Sequence, residues 1–160
     1  MDYTIREMQT GEYPLLENFL YEAIFIPPGV SAPPRSVLAR PEIAVYIERF
    51  GELKGDRCLV VLVDGSIVGA VWARIIDDYG HIDDETPSLA ISLYKEYRSR
   101  GIGTALMRAL LARLAGDGYK RASLSVQKDN YAYNMYKALG FEVCGENAED
   151  YIMVCGLGSH

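Results

Sequence analysis

Polar and apolar positions alternate along this chain in blocks that predict eleven elements. Residues 2–7 read as a short strand. The segment TGEYPLLENFLYEAIF, with Thr10 as its cap, sets Leu15, Leu16, Phe19, Leu20, Ala23 and Ile24 at three-and-four spacing, the mark of one helix face. IPPGVSAPPR carries four prolines in ten residues and reads as a loop. PEIAVYIERFG predicts a second helix, opened by Pro41 and stopped by Gly51.

The pattern then changes period. Residues 57–63 are almost continuously apolar, Asp64-Gly65 is a hairpin signal, and residues 66–76 supply the partner strand. After the polar segment DDYGHIDDET comes a short strand, SLAISL. RGIGTALMRALLARLAGDG predicts a helix with Ile102, Leu106, Ala109, Leu110 and Leu114 on one face, ending near Gly116 or Gly118. ASLSV is a strand, NYAYNMYKALG a helix closed by Gly140, and FEVCG and DYIMVC are the last two strands. The order is β-α-α-β-β-β-α-β-α-β-β, a mixed α/β (α+β) sheet. The strand–helix–strand at residues 88–126 implies one parallel crossover in an otherwise antiparallel sheet.

Composition narrows the function classes. At 160 residues, 49% hydrophobic and 24% charged, the chain reads as one soluble domain, with the closing GLGSH a frayed end without function. No apolar run approaches a membrane span, and MDYTIREMQ lacks the layout of a secretory signal, so a cytoplasmic location is the expectation. Cys58, Cys144 and Cys155 form no C-x-x-C pair and are expected as buried, reduced thiols. His81 and His160 do not make a metal site. A net charge of −6 with no basic, aromatic-laced stripe argues against nucleic acid and weakly favours cationic small molecules.

RSRGIGTALM, residues 98–107, raises the chemical question. Two glycines after a strand open the strongest helix, beside Arg98 and Arg100. A helix N-terminus holds unpartnered N–H groups and about half a positive charge, and glycines let a diphosphate reach them. The bland alternative is a tight turn. The dinucleotide fingerprint fails because Leu106 stands where a third glycine belongs, and the P-loop pattern has no match. R-x-x-G-x-G is met by Arg98, Gly101 and Gly103.

LAISLYKEYRSRGIGTALM and LSVQKDNYAYNMYKALGF together resemble the two central motifs of the GNAT superfamily of N-acetyltransferases. The turn matches [QR]-x-x-G-x-[GA], and Asn130, Tyr136 and Gly140-Phe141 stand at the second motif's places. The resemblance is specific over about residues 89–141.

It implies that acetyl-CoA is the cosubstrate. Its diphosphate would rest on the backbone amides of Arg98, Ser99, Arg100, Gly101, Ile102, Gly103 and Thr104. Its pantetheine arm would pair with the backbone of Ile91, Ser92 and Leu93. Asn130 would bond the same arm or cap its helix, and Tyr133 would join the coenzyme contacts. Tyr136 would protonate the departing thiolate; packing on an amphipathic helix is the alternative.

The general base is less legible, because Pro87 stands about where relatives carry a glutamate. Asp83, Asp84 and Glu85 come just earlier, as a solvated turn or as an acceptor site, with Glu85 a candidate base and His81 its rival. Trp72 is a candidate acceptor contact and Arg74 shares its face. Tyr21, Phe25, Tyr46 and the loop 27–34 frame the expected acceptor side. The implied activity is acetyl transfer to a primary amine of a small molecule. Acetylation of a protein N-terminus or lysine, or acyl-CoA binding without catalysis, are the alternatives. A homodimer is compatible; no stretch identifies an interface.

Overall fold

The computed structural model describes residues 2–76 and 81–157; the remainder of the predicted polar segment, 77–80, and residues 158–160, including His160, lie outside the described residues. Seven strands form one sheet: β1 (Thr4–Glu7), β2 (Arg57–Val63), β3 (Ser66–Arg74), β4 (Ser88–Leu93), β5 (Arg121–Gln127), β6 (Glu142–Glu146) and β7 (Asp150–Gly156). Their spatial order is β1-β2-β3-β4-β5-β7-β6. Every neighbouring pair is antiparallel except β4 and β5. Asp64 and Gly65 both adopt positive φ, 52° and 80°, the twist a two-residue hairpin requires.

Helices cover both faces, which is why β2 and β3 are apolar on both sides. On one face lie α1 (Leu16–Ala23) and α2 (Pro41–Ala44), with Leu16, Phe19 and Leu20 packed on Val60, Ala70 and Trp72. On the other lie α3 (Ile102–Gly116) and α4 (Ala132–Ala138), where Leu106, Leu110, Leu114, Tyr136 and Phe141 meet Leu59, Val61, Val71 and Leu124. Each fully buried leucine contributes roughly 1.5–3 kcal/mol by leaving water.

The parallel crossover opens the centre of the sheet. β4 is paired with β3 along its whole length, and β5 with β7 along its whole length. Between β4 and β5 the pairing is limited to Ser88 and Ser123, with the Ser123 amide donating to the Pro87 carbonyl at 2.9 Å. Each strand follows its own half-sheet, and the two splay apart toward their C-terminal ends. Gly69 makes the neighbouring contact possible: a Cβ there would stand 2.1 Å from Leu93 Cδ2.

Several expectations need correction. Thr10 is not the cap: Gln9 is, its amide donating to Glu12 at 2.8 Å, and Pro14 lies in a 3₁₀ turn, Thr10–Leu15, before α1 begins. The second helix does not run to Gly51. Its carbonyls at Val45, Tyr46 and Arg49 accept instead from Arg74 Nη1, Trp72 Nε1 and Arg74 Nη2 on β3, at 3.0, 3.1 and 3.2 Å, and the chain continues as turns. β3 stops at Arg74, not Ile76. Cys144 is exposed on β6; Cys58 and Cys155 are buried, and all three are free thiols. Gly156 and Leu157 belong to the fold rather than a frayed end, since Gly156 closes β7 and the buried Leu157 donates its amide to the Lys120 carbonyl at 2.8 Å. Among the described residues no helix is long and apolar enough to cross a membrane.

Candidate active site

The splay between β4 and β5 leaves backbone groups facing a gap. The Tyr94 amide donates to the Val68 carbonyl, toward β3, while the Pro87 carbonyl points to β5. Because successive residues of a strand turn their polar groups to opposite neighbours, Ile91 and Leu93 face the gap. Ser92 does not: its backbone lies in the ladder with Ala70, and its hydroxyl donates to the Phe19 carbonyl at 2.7 Å, pinning α1 to β4. That corrects the expectation for Ser92. The Leu93 carbonyl is already taken, by Arg98 Nε at 2.9 Å.

Past the end of β4 the chain makes a turn rich in unpartnered donors. Ser99 and Gly101 adopt positive φ, 61° and 81°, and Gly101 caps α3. The Arg98 amide leaves the expected set, because it donates to the Lys95 carbonyl at 3.2 Å; among the described residues, those of Ser99, Arg100, Gly101, Ile102, Gly103 and Thr104 donate to no backbone carbonyl, and the next to do so is that of Ala105, to Gly101 at 3.2 Å. Open space surrounds the position a Cβ would take at Gly101, and at Gly103 the nearest atoms, Leu93 Cδ1 and Met135 Sδ, stand at 3.7 Å. Successive exposed amides at a helix N-terminus make a concave anion-binding surface. Arg100 is exposed beside them, with no ion pair among the described residues. A diphosphate fits this turn in charge and in space.

The sequence profile of the Acetyltransferase (GNAT) family matches residues 20–141, which include this turn, both flanking strands and α4. The chain belongs to the GNAT acetyltransferase family. An N-alpha-acetyltransferase from Saccharolobus solfataricus is 31% identical over 106 residues, which is 61% of this chain; the chain spans 62% of that relative's length. The fold is that of PaiA N-acetyltransferase from Thermoplasma acidophilum, solved in complex with coenzyme A: TM-score 0.72 and 19% identity over 98% of this chain and 99% of that one. Phosphinothricin acetyltransferase from Sinorhizobium meliloti, solved with acetyl-CoA, gives TM-score 0.71 and 20% identity over 99% and 90% of the two chains.

Other predicted residues of this GNAT chain lie on and just before α4, in the acidic turn, on β3 and around α1 and α2. α4 follows β5 and packs on the same face as α3. Its Tyr136 is nine-tenths buried, edge-on to Phe141 at 5.9 Å, and burial pushes its phenol up to about 12. Tyr133 stacks at a tilt on Tyr151, 5.2 Å away. Asn130 Oδ1 accepts the Ala132 amide at 2.9 Å, so the capping role is real, and its Nδ2 has no partner among the described residues.

The acidic turn lies beyond the closed end of the gap. Asp83 is a brace: it accepts from the Thr86 hydroxyl and the Glu85 amide and pairs with Arg121 of β5, and these contacts hold its carboxyl below the usual range. Asp84 and Glu85 are exposed. His81 Nδ1 lies 2.8 Å from the Ile76 carbonyl, which can only accept, so Nδ1 carries the hydrogen and Nε2 is the basic atom, 3.8 Å from Asp84.

Trp72 and Arg74 are corrections. Trp72 is 1% exposed, with its indole N–H on the Tyr46 carbonyl. Arg74 holds Asp56 in a buried, two-pronged pair with N–O distances of 3.0 Å. Among the described residues Trp72 lines no cavity, and the one that Arg74 lines is not the gap. A cavity of about 290 Å³ lined by Arg74, Glu48 and Glu52 sits on the α2 face, away from the gap side that α4 covers. Tyr21, Phe25 and Tyr46 are half-buried, and the loop 27–34 is drawn onto α1 by the Tyr21 hydroxyl, which donates to the Pro33 carbonyl.

Sequence reasoning missed Glu22. In the last turn of α1 it pairs with Arg98 at 3.0 Å. A signal existed, because an acid at a helix C-terminus opposes the helix dipole and asks for a partner.

Proposed function

We propose that the protein transfers the acetyl group of acetyl-CoA to a primary amine by direct attack in a ternary complex, and that the acceptor is a small molecule. The observation that carries this is the run of six unpartnered amides, Ser99 to Thr104, beside a parallel strand pair that separates after one residue pair. The amides would hold the diphosphate, with Arg100 adding charge, and the groups of Ile91 together with the Leu93 N–H would hold the pantetheine arm. The coenzyme supplies an activated acetyl thioester.

The chain's own residues would meet the remaining demands. An N–H facing the gap can donate to the acyl oxygen as negative charge develops on it. Tyr136 would donate to the thiolate as it leaves: the amine nitrogen gains the acyl group, the C–S bond breaks, the sulfur receives its proton through the phenol, and the proton that the amine gives up, relayed by water, restores the phenol. A phenol held at about 12 remains protonated throughout the working range, against a thiol near 8.5. Deprotonating the amine is the harder part, since a lysine-like amine is neutral in only about one molecule in 2,500 at pH 7, a deficit of roughly 4.6 kcal/mol. His81 Nε2, with Glu85 as the rival, is the candidate that takes this proton through water.

Two features support a small, cationic acceptor. The net charge is −6, and the loop 27–34 lies strapped on α1 rather than standing away from it. The second reading is the α-amine of a polypeptide, favoured by the N-alpha-acetyltransferase relative. It also fits physically, because an α-amine near pKa 7.8 needs only about 1 kcal/mol of help at pH 7.

Thiol release from acetyl-CoA should be followed with a panel of small primary amines and of peptides whose lysines are blocked. Turnover on the small amines supports the first reading and turnover on peptide α-amines the second. Coenzyme binding with no turnover on any would point to the non-catalytic alternative. With the best amine, His81→Gln should lower kcat about 100-fold or more; an unchanged kcat would exclude His81 as base.

A further inference from the structure

We infer that Glu22 is a positioning residue that couples the coenzyme turn to the α1–α2 loop on the acceptor side. This rests on the coenzyme reading above and goes beyond it. The Arg98 guanidinium joins three pieces of chain. Nε donates to the Leu93 carbonyl at 2.9 Å, and Nη2 donates to the Glu22 carboxylate at 3.0 Å and, more weakly, to the Glu22 main-chain carbonyl at 3.4 Å. Leu93 is the last residue of β4, at the mouth of the gap; Glu22 is the penultimate residue of α1. Helix α1 ends at Ala23, and from there the chain enters the loop that Tyr21 and Arg35 draw back, through Pro33 and Asn18.

The arrangement answers three physical needs with one side chain. The Leu93 carbonyl faces the splay and has lost its strand partner, so Arg98 substitutes for the missing donor. The last carbonyls of α1 lack intrahelical partners, and Arg98 brings positive charge to that end. Glu22 in turn sits near the place where a diphosphate would arrive, and Arg98 between them neutralises its charge. When the amides beyond Arg98 are held by a diphosphate, its backbone is fixed and its side chain loses less freedom in bridging to Glu22. The end of α1 is then held more tightly, and the loop that follows it opens less often. Such coupling is reciprocal: whatever the coenzyme does for the loop, an acceptor that orders the loop does for the coenzyme.

Limited trypsin digestion reads this without knowledge of the acceptor. Between Ala23 and Val45 the basic residues are Arg35, which is exposed, and Arg40, which precedes Pro41 and so resists cleavage. CoA at saturating concentration, with binding measured separately by calorimetry, should slow cleavage after Arg35 several-fold in the unaltered protein. In Glu22→Gln, which keeps the shape and removes the charge, CoA should still bind but protect Arg35 less than twofold. Arg98→Lys, which cannot span both partners, should behave alike, and melting curves on both variants confirm that they are folded. CoA binding without protection in the unaltered protein, or full protection in a folded Glu22→Gln that binds CoA, would overturn the coupling. Failure of the unaltered protein to bind CoA would instead sink the coenzyme reading itself.

Discussion

Tyr136 carries the heaviest chemical load of any single side chain in this account. Packed against Phe141 with its phenol raised by desolvation, it holds its proton well above neutral pH. Tyr136→Phe should therefore lower kcat about 100- to 10,000-fold, the span of a lost proton donor, while leaving the calorimetric affinity for CoA within about twofold. Unaltered kcat would assign Tyr136 to packing alone. In the unaltered protein, no loss of activity with a midpoint near pH 10 should come from this group, because it titrates only at about 12. At this scale, residue types were legible but partners were not. Asn130 could be read as a cap because its role involves a residue two positions away. Trp72 and Arg74 were misread because their partners, Tyr46 and Asp56, lie 26 and 18 positions off.

Elements were legible wherever one local period ran without interruption. Residues 57–63, the strand SLAISL and the long helix that ends at Gly116 were placed from pattern alone. The segment after Pro41 has equally good helical spacing but forms only four residues of helix, because β3 takes its carbonyls. No local pattern records such competition. The same contacts make Asp56 critical: it pairs with Arg74 and accepts the amides of Gly51 and Leu53. Truncating one partner of a buried pair strands the other charge, at a cost of about 3–5 kcal/mol. Asp56→Ala should lower Tm by about 10 °C in differential scanning calorimetry. A shift of only a degree or two would mean that the pair is not holding the segment.

For the whole molecule, the mixed sheet and its single parallel crossover followed from element order, since a strand, a long helix and a strand in succession leave few other arrangements. The placement of β7 between β5 and β6 did not, because insertion of the last strand depends on which edges remain unpaired once the rest has assembled. That insertion matters for function. β7 holds β5 away from β4 along seven residues, and the gap exists because the two halves of the sheet each satisfy their own edges. The central claim is that this gap and the amide turn beside it form one coenzyme site. Titration calorimetry with CoA tests it most directly, on the unaltered chain and on Gly103→Val, where added carbons would stand over the donors while Leu93 and Met135 leave room at 3.7 Å for the first of them. Saturable heat at one site per chain is expected, weakened at least tenfold in the folded variant. No heat at millimolar CoA, or equal affinity in the two proteins, would contradict it.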